Sequence, residues 1–163
     1  MNLLMKNLKK CLFIAALCGS SAAWAEGVEA DNAWVRFTVP GMNMSGAFMN
    51  LHNTGSTDDA LIAAQSPIAG KVELHDHIDD NGVMRMRAVE NIALPAGKTV
   101  QLKPGSKHVM FFGLTQTLEP GSSIPLTLQF KHAKPLTLSV PVMKNQTSTN
   151  HADKQEAHQQ LSH

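Results

Sequence analysis

The sequence predicts an all-β domain, built as a sandwich or a small barrel. Short segments rich in Val, Leu, Ile, Phe and Thr recur along the chain and are separated by turn residues such as Pro40-Gly41, Asp79-Asp-Asn-Gly82 and Pro104-Gly105. No stretch keeps an apolar period of 3.6 residues with good caps, so a helix-containing fold is not expected. The even spacing of the segments is typical of sandwiches and small barrels.

Nine segments are candidate strands, bounded where an apolar run meets turn residues. They are Val28–Val39, Ala47–His52, Ala60–Gln65, Lys71–Ile78, Val83–Val89, Thr99–Leu102, His108–Leu114, Ile124–Lys131 and Leu136–Val142. The 163 residues are enough for one domain with a real core and too few for two typical ones. We therefore expect a single domain.

The first 25 residues have the layout of a secretory signal peptide. Three lysines precede a short apolar stretch, and Ala23-Trp-Ala25 forms a small-residue cleavage pattern. The apolar stretch is far shorter than the roughly 20 residues that a spanning helix needs, so stable membrane insertion is not expected. We expect export to the periplasm and a mature chain that begins at Glu26.

Removal of this segment would change the chemistry of the chain. Both cysteines, Cys11 and Cys18, would leave with it, so the exported protein would have no thiol. Three of the 14 Lys and Arg residues would leave too, and 11 basic residues against 13 acidic ones give a formal charge of −2. This balance offers no basic footprint for nucleic acid. A lipid anchor at Cys18 is the alternative, and Leu17 disfavours it because such signals need a small residue there.

The composition changes after Val142. Residues 143–163 are polar, contain His151, His158 and His163, and have little to bury, so they predict a tail that is disordered or only transiently helical. The predicted organisation is a signal peptide over 1–25, a β-domain over 26–142 and a tail over 143–163.

The methionines and histidines of the body form pairs two residues apart. The pairs are His75 and His77, Met84 and Met86, and His108 and Met110. Residues two apart in a strand point to the same face, so each pair presents two possible metal ligands on one side. His52 and His132 have no such partner and are interpreted as structural or exposed.

A hairpin would bring two of these pairs together. If Ile78 and Val83 close a four-residue loop, His77 lies opposite Met84 and His75 lies opposite Met86. Opposed β-carbons are about 4.5–5.5 Å apart, which leaves room for a metal ion between the side chains. The strand of His108 would supply the other half of the site.

Two imidazoles and two thioethers favour Cu(I), because thioether sulfur is soft and uncharged. A zinc site would more often recruit Cys or an acid, and the calcium loop pattern with its terminal Glu is missing. A single Met in a strand is usually core filler, and Met49 is interpreted in this way. The loop segment Met42-Asn-Met44 either approaches the copper or is simply exposed.

The spacing His75-x10-Met86-x21-His108-x-Met110 resembles the signature of the PCuAC family of periplasmic copper chaperones. Further similar stretches lie at 33–36, 51–55, 70–75, 82–86, 102–105 and 125–128. The resemblance covers roughly residues 28–142.

The resemblance implies a cupredoxin-like Greek-key β-sandwich that binds one Cu(I) per domain through His75, Met86, His108 and Met110. It implies a metallochaperone that delivers copper towards the binuclear centre of cytochrome c oxidase, with the copper subunit of the oxidase or a Sco-type protein as partner. Many members carry Met where this chain has His77, so an auxiliary or Cu(II)-preferring contact is expected at His77. Met84, paired with Met86, is a further candidate for an auxiliary contact. The tail residues His151, His158 and His163 either capture Cu(II) or belong to a solvated tail without a metal role.

Several functions remain open alternatives. A copper storage or resistance protein would show the same motifs, and an adhesion or scaffold module would carry the methionines incidentally. No Ser-His-Asp motif or pair of catalytic carboxylates stands out, so an enzyme is not expected. We expect a monomer.

Overall fold

The computed structural model describes residues 27–144, so the predicted signal peptide and all but the first two residues of the predicted tail lie outside the described residues. The described chain is all-β. Its ten strands are β1 (Val28–Arg36), β2 (Met44–Asn53), β3 (Asp59–Gln65), β4 (Ala69–Asp80), β5 (Val83–Ala88), β6 (Ile92–Leu94), β7 (Thr99–Leu102), β8 (His108–Leu114), β9 (Ser123–Phe130) and β10 (Leu136–Met143). Residues 27–144 contain no helix that is long and apolar enough to cross a membrane.

The predicted all-β class is confirmed, and every predicted segment overlaps a strand. Strand β6 was not predicted, because three residues are too few to show an alternating pattern. The predicted first strand ran to Val39, whereas β1 ends at Arg36. Beyond that point the backbone still bonds to the sheet, since the Phe37 amide donates to the carbonyl of Met143 at 3.0 Å.

The strands form one sheet in the order β5-β4-β8-β2-β1-β10-β9-β3-β6, with β7 also paired to β2. A parallel contact between β1 and β10, through Val35 and Val142, joins the two halves of the sheet. Neighbouring strands in the sheet are mostly distant in the chain, as in Greek-key sandwiches. The sheet curls so that one face of each half packs into a common core.

The core fixes which face of each strand points outwards. Ala47 and Leu51 of β2 and Val109 and Phe111 of β8 are fully buried in this core. The residues between them on the same strands point to the opposite face. The predicted ligands on β4 and β8 therefore lie on the outer face of the sheet, away from the core.

The β4–β5 hairpin is tighter than predicted. Asn81 and Gly82 have φ angles of 55° and 83°, which allow a two-residue turn between Asp80 and Val83. The predicted four-residue loop was therefore wrong.

The pairing of the hairpin changes accordingly. His77 lies opposite Met86, His75 lies opposite Ala88, and Met84 lies opposite Asp79. The shift is two residues, so each side chain keeps its predicted face.

Candidate metal centre

Three neighbouring strands bring the predicted ligands to one patch of the outer face. His75 of β4 lies directly opposite His108 of β8, and the centroids of their rings are 5.7 Å apart. His77 lies 5.9 Å from His108, measured between ring centroids, and opposite Met86 of β5. Met110 follows two residues after His108 on the same face of β8.

A cavity of about 400 Å³ opens on this patch. It is lined by Arg36, Phe37, Met42, Met44, Ser45, Gly46, Phe48, His77, Met86, Pro104, Gly105, His108 and Met110. Three of the four predicted ligands are among these residues, together with the predicted auxiliary His77. His75 lies beside His108 without lining the cavity, and Met84 does not line it.

Within the patch, the Met86 thioether is exposed, whereas the imidazoles of His75 and His108 are buried. The side chain of Met86 sits at the surface, in a residue that is 48% exposed. His75 and His108 are only 7% and 5% exposed. The two imidazoles are therefore held in fixed positions, whereas the sulfur is accessible to solvent.

His75 presents one nitrogen with no partner. Its Nε2 lies 2.9 Å from Oε2 of Glu73, and because a carboxylate only accepts, Nε2 donates. In the neutral ring, Nδ1 is then the nitrogen without a proton, and it carries a lone pair that can accept a hydrogen bond or bind a metal ion. Among residues 27–144, that Nδ1 is the one buried side-chain nitrogen or oxygen without a hydrogen bond. An unmade buried bond costs about 1–3 kcal/mol, and a bound metal ion would satisfy the lone pair.

His108 is oriented in a complementary way. Its Nδ1 donates to the carbonyl oxygen of Ser106 at 2.8 Å, which leaves Nε2 as the open lone pair. Burial lowers the pKa of His108, the hydrogen bond to Ser106 opposes this, and His75, His77 and Arg36 lower it further. The ring is thus held in the neutral form that coordinates metal.

Glu73 is itself held in place. Its Oε1 lies 2.5 Å from Nζ of Lys71. The hydrogen bonds from Lys71 and then from His75 lower the pKa of Glu73, so the carboxylate stays charged. A carboxylate that orients a metal-binding imidazole is common in metal sites. The sequence analysis missed Glu73, although it lies two residues before His75 and so shares its face.

Aromatic rings form one wall of the patch. The ring of Phe48 lies 6.0 Å from that of His108 and packs 4.6 Å from that of Trp34, measured between centroids. A Cβ on Gly46 would come within 3.2 Å of the Phe48 ring, so a larger residue there would press on the ring. Trp34 and Phe48 are both buried, so they back the site with apolar surface.

The donor set fits a soft monovalent ion. The cavity lining contains thioethers and imidazoles and no carboxylate. Within residues 27–144, no group of three or more His, Cys, Asp or Glu side chains is placed to hold a metal ion. A metal ion bound at this patch would take thioether sulfur among its ligands, which is the ligand chemistry that Cu(I) prefers.

Comparison with known proteins identifies the family. The sequence profile described as "Putative lipoprotein LpqE-like" matches residues 28–142. The chain belongs to the LpqE-like family. A protein of Leifsonia xyli subsp. xyli, named "Putative lipoprotein Lxx21020", is 37% identical to this LpqE-like chain over 119 residues, which are 72% of the chain and 70% of that protein.

Solved structures share the fold of the LpqE-like chain. The copper-bound PCuAC domain from PmoF2 superposes with a TM-score of 0.63 at 22% identity, over 73% of this chain and 94% of that domain. The solution structure of CuI-DR1885 from Deinococcus radiodurans gives a TM-score of 0.60 at 27% identity, over 80% of this chain and 86% of that one. The predicted resemblance to PCuAC domains is confirmed for the fold.

The remaining histidines lie elsewhere. His52 is on the outer face of β2, where it bonds to Asp31 and Thr99. His132 is exposed in the β9–β10 turn. His151, His158 and His163 lie outside the described residues.

Proposed function

We propose that this LpqE-like protein is a periplasmic metallochaperone that binds one Cu(I) in the cavity on its outer face. The observation that carries the proposal is the unpartnered, buried Nδ1 of His75 beside a cluster of neutral soft ligands. In this proposal the metal is cargo, and no reaction is catalysed.

The proposed ligands are Nδ1 of His75, Nε2 of His108 and the sulfur atoms of Met86 and Met110. The hydrogen bonds to Glu73 and Ser106 support this choice of nitrogens. They occupy Nε2 of His75 and Nδ1 of His108, so only the opposite nitrogen of each ring is available to a metal ion. His77 is proposed as an auxiliary contact because it lines the same cavity.

Neutral ligands suit a carrier. Four uncharged groups hold a single positive charge without a carboxylate, and each is exchangeable in turn with a ligand of a partner protein. Methionine is not lost to disulfide formation in an oxidising compartment, as a thiol would be. The copper-bound PCuAC domain from PmoF2 and the CuI form of DR1885 share this fold, and both support the same cargo here.

The proposed destination is the binuclear copper centre of cytochrome c oxidase, reached through its copper subunit or a Sco-type protein. This step rests on the PCuAC resemblance. A storage or resistance protein would bind copper in the same way and would not transfer it to such a partner. The exposed position of Met86 favours exchange over storage.

Export is proposed from the signal-like first 25 residues, and the names of the family and of the Leifsonia protein as lipoproteins support it. Those names also make Cys18 worth testing as a lipid anchor. The mass of the mature protein separates cleavage before Glu26 from lipidation at Cys18. Cu(II) binding by the tail histidines remains a separate proposal.

The test is an anaerobic titration of residues 26–163 with Cu(I) and an aerobic one with Cu(II), repeated on a chain ending at Lys144. We expect one Cu(I) per protein in both chains, and additional Cu(II) only in the longer chain. Transfer to a purified oxidase copper subunit or Sco-type protein then separates a chaperone from a storage protein. Failure of both chains to bind Cu(I) would refute the proposal.

A further inference from the structure

Exposed apolar side chains are concentrated around the cavity. Within residues 27–144, all but one of the large exposed ones lie on the β1–β2 connection with the first residue of β2, or on the β4–β5 hairpin. They are Val39, Met42, Met44, Ile78, Val83, Met84 and Met86, and the exception is Ile62. Apolar surface that stays in water loses a burial free energy of roughly 25 cal/mol per Å². This concentration of exposed apolar side chains therefore needs an explanation.

Three of these side chains line the cavity, and all three are methionines. Met42, Met44 and Met86 are 47%, 42% and 48% exposed. A thioether binds Cu(I) without losing a proton and is a weak ligand for harder ions. An ion that approaches from solvent therefore meets sulfur before it meets the buried imidazoles.

We infer that Met42 and Met44 form, together with Met86, an outer Cu(I) position at the mouth of the cavity, through which the ion enters and leaves. The inference rests on the proposed function. Met86 belongs to both positions, so the ion moves inwards by exchanging Met42 and Met44 for His75, His108 and Met110. Every ligand is neutral, and the copper stays cuprous throughout.

A docking role for the rim explains the same exposure without sulfur chemistry. In that case the rim would bind an acceptor protein, and only its apolar character would matter. Leucine has a similar volume and apolar character to methionine and no sulfur. A small chelator needs no docking surface. The two explanations therefore differ in how leucine variants transfer copper to a chelator.

The experiment compares the double variant Met42→Leu/Met44→Leu with the single variant Met84→Leu. Met84 is exposed, lies on the same hairpin as Met86 and does not line the cavity, so it is a matched control. Each protein is loaded with one Cu(I), and the rate of transfer to bathocuproine disulfonate is followed by stopped-flow absorbance. Cu(I) affinity is measured in parallel by equilibrium competition.

We expect the double variant to transfer Cu(I) about tenfold more slowly than the control, with an affinity change below about threefold. Equal rates in the two variants would overturn the inference and leave the proposed function intact. A larger loss of affinity than of rate would also overturn it, because the methionines would then belong to the resting site. If the unaltered protein binds no Cu(I), the proposed function and the inference fail together.

Discussion

Two side-chain clusters, one around His52 and one around His75, lie on the outer face of the same half of the sheet. They differ in one hydrogen bond. At one end, Nε2 of His52 lies 2.5 Å from Oδ2 of Asp31, and its Nδ1 lies 2.6 Å from Oγ1 of Thr99. At the other end, Nε2 of His75 bonds to Glu73, and its Nδ1 has no partner. Both clusters contain a histidine–carboxylate pair, so the pair alone does not identify a metal site.

The second ring nitrogen makes the distinction. Thr99 bonds to the second nitrogen of His52, so both nitrogens of that ring have hydrogen-bond partners and the ring has a structural role. Nδ1 of His75 is buried and has no hydrogen-bond partner. The fold brings this nitrogen near thioethers that are distant from it in the sequence. A histidine is a ligand candidate when its surroundings orient it and leave one lone pair unused.

The largest expected effect is on copper binding. His75→Ala removes a proposed ligand, so the Cu(I) affinity should fall more than about 100-fold, beyond the usual loss from an outer-shell change. His52→Ala should leave it within about threefold, because that ring is distant from the cavity and fully bonded. Anaerobic competition with a Cu(I) chelator measures both. Equal losses in the two variants would show that the clusters do not differ as described.

The next effect concerns Glu73, which orients the ring of His75. Glu73→Ala should lower the Cu(I) affinity about 10–100-fold while all proposed ligands remain. Its counterpart in the other cluster, Asp31→Ala, should have no such effect. Nitrogen chemical shifts of the apo protein report the tautomer of His75, and an unchanged tautomer in Glu73→Ala would contradict a positioning role.

A third prediction concerns pH and His108. Its pKa in the folded protein lies below the ordinary value of 6.5, chiefly through burial. As pH falls below 6.5, the unfolded chain therefore takes up a proton before the folded one does, and stability decreases until the lower folded pKa is passed. Urea unfolding of the apo protein should show this decrease, and His108→Ala should reduce it. If the stability of His108→Ala falls with pH as steeply as that of the unaltered protein, other groups cause the effect.

The smallest expected effect is on the apo protein. His75→Leu removes the unbonded buried nitrogen together with the hydrogen bond to the partly exposed Glu73, which water can replace, so apo stability should stay within about 1 kcal/mol. Thr99→Val removes a bonded partner of His52 and should lower stability by about 0.5 kcal/mol, since water can replace the hydroxyl there. Urea unfolding measures both changes. Destabilisation by His75→Leu beyond about 2 kcal/mol would mean that this ring, too, serves the fold.

Strand alternation explains why the sequence predicted the faces but not the pairing of the hairpin. His75, His77 and Met86 share a face in any register that shifts by an even number of residues. The exact register depends on Asn81 and Gly82, whose positive φ angles allow a two-residue turn. The Asn-Gly pair was the available signal, and it favours this turn over a four-residue loop.

The rest of the site depends on contacts between segments distant in sequence. The pairing of β4 with β8 places His75 opposite His108, and no local pattern specifies that register. The position of Met42 and Met44 beside the cavity follows from the pairing of β2 with β8. The open nitrogen of His75 is likewise visible only once its burial and every neighbour are known.

X-ray absorption of the Cu(I)-loaded protein identifies the atoms that surround the copper. We expect both sulfur and imidazole nitrogen, and we expect the sulfur signal to fall in Met86→Leu and Met110→Leu while it persists in Met84→Leu. A cuprous spectrum with nitrogen or oxygen neighbours alone would contradict the proposed copper site.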